Sequence, residues 1–267
     1  MGYTTESSNL SASAVKKVIV LNKKEGETPL EALELFRSKN KEYKDLPMTY
    51  AGRLDPMATG LLLVLAGDET KNKEKYLGLD KEYEFEVLFG LATDTYDILG
   101  KVIVIENEII TAKDLEKKIK DNLSKFKGKF IQKYPIYSSK TVKGKPLFTY
   151  GRSGEEVEIP EREVEVKNLK FIKLKKVKAS KLVADVEKRI LKVKGDFRQK
   201  EILDLWNKSL STNKEEIFYI ASFKTKCTSG TYVRGIANSL GEEMGAPALA
   251  YSIKRTKIGK FARIARW

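Results

Sequence analysis

The chain has 267 residues, 51 of them Lys or Arg and 37 Asp or Glu, for a formal charge of +14, with 41% hydrophobic residues, one Cys and no His. That length fits one large domain or two small ones, and the apolar share is enough for a folded core, which sets aside a disordered polycation. Without histidine there is no Ser-His-Asp triad, no Cys-His dyad and no His-containing zinc site, and the lone Cys227 excludes an internal disulfide or a multi-Cys metal site. Any chemistry falls to carboxylates, Tyr, Lys, Arg or backbone. No window approaches the roughly 18 apolar residues that span a bilayer. Residues 1–17 lack the basic-then-apolar order of a signal peptide, so the expected location is the cytoplasm.

In chain order, residues 1–14 are rich in Ser and Thr and are expected to be mobile. The apolar run 18–21 predicts a buried strand, and Thr28-Pro29 a helix start, with Leu30, Leu33 and Phe36 on one face. Residues 61–65 form a second apolar run. Residues 82–88 alternate as a strand with Tyr83, Phe85 and Val87 on one side and acids on the other, and 102–105 supply a hairpin partner. Thr111 is a candidate N-cap, with Asp114 three residues on and Leu115, Ile119 and Leu123 on one helical face. Strands are predicted over 163–177 and 217–227, and helices over 196–210 and 234–244, the last stopping at Gly245. Strands and helices do not alternate regularly, so the fold class is α+β in a single domain over 15–267.

The positive excess points to a polyanionic partner, with nucleic acid first. Residues 167–194 hold eleven Lys or Arg and two acids, interleaved with apolar residues at close to alternate positions. That pattern predicts strands with one lysine face, although a merely solvated face reads almost as well. No basic amphipathic helix with aromatic anchors suggests a membrane surface.

The stretch Gly52-Arg53-Leu54-Asp55-Pro56-Met57-Ala58-Thr59-Gly60 sets one carboxylate between a glycine-containing approach and a proline, ahead of an apolar run. A loop anchored at both ends in the core suits a preorganised acid, but on physical grounds alone an Asp-Pro turn is the plainer reading. The segment resembles the signature loop of the TruB family of tRNA pseudouridine synthases. Three further blocks match in family order. They are Lys81-Glu82-Tyr83 with Gly90 and Thr93-Asp94-Thr95-Tyr96-Asp97; then Tyr134-Pro135-Ile136-Tyr137-Ser138-Ser139 with Gly144-Lys145-Pro146-Leu147; then Cys227-Thr228-Ser229-Gly230-Thr231-Tyr232-Val233-Arg234 with Lys254-Arg255-Thr256. Together they run from about residue 17 to 261.

The resemblance implies a pseudouridine synthase fold, a mixed and largely antiparallel sheet flanked by helices and loops. It also implies isomerisation of a tRNA T-loop uridine, uridine 55 in standard tRNA numbering, within the T stem-loop and without cofactor or metal, and a monomer is the default expectation. Asp55 becomes the catalytic aspartate, as nucleophile or as base, Arg234 its partner, and Tyr83 the aromatic residue that stacks on the flipped base and a candidate acceptor of its C5 proton. Tyr232 and Ile253 would line the uracil pocket. Tyr50 stands where many relatives carry a His, and Lys23 retains the lysine of an early Asp-Lys-Pro motif, both on the substrate-binding side. Read without the family, Tyr83 is a core strand residue and Arg234 a surface or phosphate-contacting arginine.

The chain departs from the family pattern in an insertion at about 182–216 and in an ending too short for a complete RNA-binding PUA domain. Basic residues over 173–198 are expected to contact tRNA phosphates in compensation. Two alternatives stay open: a pseudouridine synthase of RluA type acting on ribosomal RNA, and a non-catalytic RNA-binding or tRNA-folding protein on the same scaffold.

Overall fold

The computed structural model describes residues 15–105 and 111–262, so the expectations for 1–14 and for the extreme C-terminus lie outside the described residues. In chain order the elements are β1 (Val18–Lys23), α1 (Pro29–Lys39), β2 (Met48–Ala51), β3 (Ala58–Ala66), α2 (Lys73–Leu77), β4 (Lys81–Phe89), β5 (Leu91–Thr93), β6 (Val102–Ile105) and α3 (Ala112–Asn122). They continue with β7 (Gly128–Lys133), β8 (Thr141–Val142), β9 (Lys145–Pro146), α4 (Leu147–Ser153), β10 (Glu161–Lys178), α5 (Ala179–Ile190), α6 (Gln199–Leu210), β11 (Ile217–Cys227), α7 (Val233–Met244), β12 (Ala248–Ile258) and β13 (Phe261–Ala262). One sheet runs in the order β1-β3-β12-β4-β11-β10-β7, with β2 on β3 and β13 on β12. Every pairing in it is antiparallel except β3 with β12, so the sheet is mixed and largely antiparallel, as expected.

Local chemistry explains the element ends. Thr28 caps α1, its hydroxyl accepting from the Glu31 amide while Glu31 accepts from the Thr28 amide, with Pro29 opening the helix. Thr111 caps α3 through the Asp114 amide, and Gly245 closes α7 in the left-handed conformation.

The two faces of the sheet carry separate apolar layers. Phe85, Val87, Phe223 and Ala250 pack with α3 and α7 on one face, and Leu88, Ile220, Leu249 and Tyr251 with α5 and α6 on the other. Alternation along β4 assigns each side chain to its face. A bulge between Ala250 and Ser252 shifts the parity of β12, so that Ile253 falls on the same face as Tyr83.

One expectation is corrected here. The basic stretch 167–194 is strand only as far as Lys178, and residues 179–190 form helix α5. Leu182, Val186 and Ile190 recur every four residues and are fully buried, so the helical period places one apolar face on the sheet where a strand would divide those residues between two. Lys175, Lys178, Arg189 and Lys192 face Glu86, Glu215, Glu25 and Glu25 respectively, which occupies much of the charge expected to meet phosphates.

The loop between β2 and β3 carries Asp55 and is stapled by buried cations. Arg255, 1% exposed, donates to the carbonyls of Leu61 at 2.8 Å, Gly52 at 3.1 Å and Arg53 at 3.2 Å. Lys23, with no exposed surface, donates to the carbonyls of Glu27 at 2.5 Å, Lys24 at 2.9 Å and Pro56 at 3.2 Å. Lys81 binds the Leu77 carbonyl at 2.6 Å and the Ser229 hydroxyl. Burial lowers the pKa of both lysines to about 8, because neither ammonium has a carboxylate partner at hydrogen-bond range.

Two outcomes are expected. Gly60 has φ +101°, and a Cβ there would lie 2.2 Å from the Arg255 carbonyl oxygen in the parallel β3–β12 pairing. Gly60→Ala therefore lowers the unfolding free energy by about 2 kcal/mol or more in denaturant titration. Lys23 and Lys81 titrate near 8 when folded and near 10.5 when unfolded, so the unfolded chain holds the extra protons in that window and their contribution to stability rises with pH across it. The slope of unfolding free energy against pH between 8 and 10 is shallower in Lys23→Met than in the parent chain.

Candidate active site

Asp55 leaves the β2–β3 loop with a side chain 38% exposed, facing a cleft of about 970 Å³. The other partner comes from the first turn of α7. Arg234 Nε donates to Asp55 Oδ2 at 2.8 Å and Nη2 to Oδ1 at 3.2 Å, a two-pronged contact that fixes the rotation of the carboxylate. The guanidinium itself is buried, its side chain 3% exposed. Its remaining donors go to the backbone carbonyls of Thr95 at 2.5 Å and Tyr137 at 3.2 Å. Burial works against the charge of Arg234, but Asp55 and Asp97 outweigh it and keep the group protonated.

Asp97 is a residue the sequence reading quoted without giving it a role. Its Oδ2 lies 3.6 Å from Arg234 Nε, and its Oδ1 accepts from the Thr95 hydroxyl at 2.8 Å and the Leu99 amide at 2.9 Å. Burial raises the carboxyl to about pH 6, with Arg234 opposing and Asp55 adding to the rise. Arg234 thus lies between a solvent-facing acid and a buried one. No spacing rule separates Asp97 from Asp94 three residues earlier, so only the fold distinguishes them. Arg255 was likewise quoted without a role, and its place beneath the loop carries no local signal.

The structure gathers most of the expected residues around Asp55. Tyr83, Tyr232, Ile253 and Tyr50 all line the cleft with it. Tyr83 stands on β4 opposite Arg255 and Thr225, 9% exposed. Burial raises its phenol above the ordinary tyrosine value, the neighbouring Arg255 opposing in part, so the ring is neutral near pH 7. Tyr232 packs edge-on to Tyr134 with centroids 5.6 Å apart, its backbone held at both ends by Gln132. Tyr50 lies on β2, with the Lys73 ammonium 5.8 Å from its ring centre. Lys23 is the exception. It is absent from the cleft lining and sits under the loop, where its ammonium supports the Pro56 carbonyl next to Asp55.

The rim is cationic. Arg53, Lys140, Arg152 and Arg162 are exposed and border the cleft, and Arg53 is fixed by a 2.5 Å bond to the Ser139 hydroxyl. Among the described residues no three Cys, Asp or Glu side chains converge as metal ligands, and no helix is long and apolar enough to cross a membrane. An acid, a fixed guanidinium, several tyrosine rings and a basic rim suit a flat, uncharged ring attached to a phosphate chain.

Comparison with known proteins agrees with this geometry. Residues 40–189 match the family model described as "TruB family pseudouridylate synthase (N terminal domain)". A protein named tRNA pseudouridine synthase B from Caldanaerobacter subterraneus subsp. tengcongensis is 33% identical over 93% of this chain and 70% of its own length. One of the same name from Clostridium tetani is 30% identical over 80% of this chain and 58% of its own length. The crystal structure of a Cbf5-Nop10-Gar1 complex includes a chain that superposes with a TM-score of 0.55 at 17% identity, covering 92% of this chain and 50% of that one, a likeness of fold. The chain thus spans about half the length of that solved structure and somewhat more of the curated relatives. With the family model covering more than half of the chain and a relative one-third identical across nearly all of it, the chain belongs to the TruB family of pseudouridylate synthases.

Proposed function

We propose that the chain isomerises the T-loop uridine of tRNA, uridine 55 in standard tRNA numbering, with Asp55 as the catalytic carboxylate, acting as a cytoplasmic monomer. The observation that carries this is the Asp55–Arg234 fork at the base of a cationic, aromatic-lined cleft large enough for one extruded nucleotide.

In the reaction the N1–C1′ bond of the uridine breaks, the uracil turns, C5 bonds to C1′, the C5 proton leaves and N1 gains a proton, so the product is an isomer. Asp55 serves either by attacking the sugar or by taking a proton from it, and both routes need the same feature, a carboxylate held at a fixed rotation and open on one side. Arg234 supplies the fixing. Tyr83 and Tyr232 offer faces for the uracil while it is detached, and Ile253 an apolar floor that hinders its escape to water. Stacking is the role assigned to Tyr83, whose ring lines the cleft. The tRNA backbone is met by the exposed rim cations, with Arg53, Lys140 and Arg162 better placed than the lysines of β10 that already face acids.

Mapping pseudouridine in an unmodified tRNA transcript incubated with the purified protein tests this reading. Product is expected at the T-loop uridine alone. Asp55→Asn, which keeps the shape of the side chain, is expected to reduce the single-turnover rate by at least about a thousandfold while the dissociation constant for the transcript stays within about threefold. Product at other uridines in ribosomal RNA fragments, or tight binding without product in the parent chain, would overturn the assignment.

A further inference from the structure

The α5–α6 hairpin ends its connecting loop against the active site. Arg198, the residue before α6, is among the described residues one of three non-glycines with positive φ, at φ 64° and ψ 25°. Its amide donates to Asp196 Oδ1 at 3.1 Å, and the Asp196 carbonyl accepts from Arg152 Nη2 at 2.5 Å. Gln199 bridges the loop, accepting from the Phe197 amide and donating to the Gly195 carbonyl, both at 2.8 Å. Helix α6 is anchored in turn by Trp206, whose indole N–H reaches the Gly100 carbonyl at 3.1 Å. A strained residue held this firmly from several sides has its side chain aimed by the fold.

That side chain joins two segments. Arg198 Nη1 donates to Asp94 Oδ2 at 2.7 Å and to the Tyr137 hydroxyl oxygen at 2.6 Å, and its guanidinium stacks on the Tyr137 ring at 4.2 Å from the centroid. Asp94 belongs to the turn that presents the Thr95 carbonyl to Arg234, and Tyr137 presents its own carbonyl to the same guanidinium. The two backbone acceptors of Arg234 therefore come from the two segments that Arg198 ties together. We infer that Arg198 is a positioning residue of the active site, which holds the Asp94–Asp97 turn and the Tyr137 segment at the separation Arg234 needs to orient Asp55. The inference rests on the proposed reaction for its kinetic consequence, but not for its structural one.

The test compares Arg198→Gln, Arg198→Lys and Asp94→Asn with Lys200→Gln, an exposed control on the same hairpin. In single-turnover assays at saturating T stem-loop RNA, Arg198→Gln and Asp94→Asn are expected to convert about tenfold or more slowly, with the dissociation constant within about twofold and the melting temperature little changed. Arg198→Lys keeps the charge but not the planar stack and two-pronged contact, and falls between, whereas Lys200→Gln matches the parent. Amide hydrogen exchange over residues 134–139 gives a readout independent of activity: faster exchange in Arg198→Gln than in the parent is expected. A parent chain that converts no uridine would overturn the proposed function, and the exchange experiment would still decide on Arg198. Unchanged conversion with unchanged exchange, or a loss of rate wholly accounted for by weaker RNA binding, would overturn the inference.

Discussion

The structure depends on the placement of positive charge inside the protein. Arg234, Arg255, Lys23 and Lys81 are all buried, and only Arg234 reaches carboxylates at hydrogen-bond distance or near it. The others satisfy their donors mainly with backbone carbonyls, which is costly to arrange but mechanically exact, since a carbonyl belongs to the chain that must be held. Arg255 and Lys23 between them hold Gly52, Arg53, Pro56 and Leu61, so the loop that presents Asp55 is fixed at both ends and from below.

From this constraint the chemistry follows. A carboxylate oriented by a two-pronged guanidinium is preorganised when the chain folds, the feature that the proposed reaction requires. Asp97 completes the arrangement by giving Arg234 a second acid on its buried side, leaving the outer face of Asp55 open to the cleft. The sheet contributes through its irregularities. The β12 bulge turns Ile253 to the face that carries Tyr83, and the parallel β3–β12 pairing brings Arg255 beside Gly60, where a side chain would not fit.

The α5–α6 hairpin links the sheet to the site. Its apolar face covers one side of the sheet, its cations pair with acids of the β1–α1 loop and the turn after β5, and its connecting loop reaches the cleft through Phe197 and Arg198. A cation beside an acid of its own chain is less available to a ligand, so Arg189, Lys192 and Arg198 serve as support from within.

Much of the architecture was legible in the order of residues. The period-two pattern of β4, the Thr28 and Thr111 caps, the Gly245 stop and the buried run of β3 follow from local physics, and each appears where expected. The motifs around Asp55, Tyr83, Tyr232 and Arg234 pointed to the family, and the structure brings these four residues to one cleft. The helix at 179–190 was misread because alternating and four-residue spacings overlap in a lysine-rich segment, and burial against the sheet decided between them. Lys23 was assigned to substrate, and Asp97, Arg255 and Arg198 were given no specific role, for a common reason. Their positions depend on contacts between segments far apart in sequence, such as Arg234 with Asp55 and Arg198 with Asp94. By itself the sequence determined the family and most of the strands and helices, since propensity, capping and motif act over a few residues. Only the tertiary structure decided which buried charges meet, because desolvation makes a buried cation take whatever partner the packed chain brings within reach.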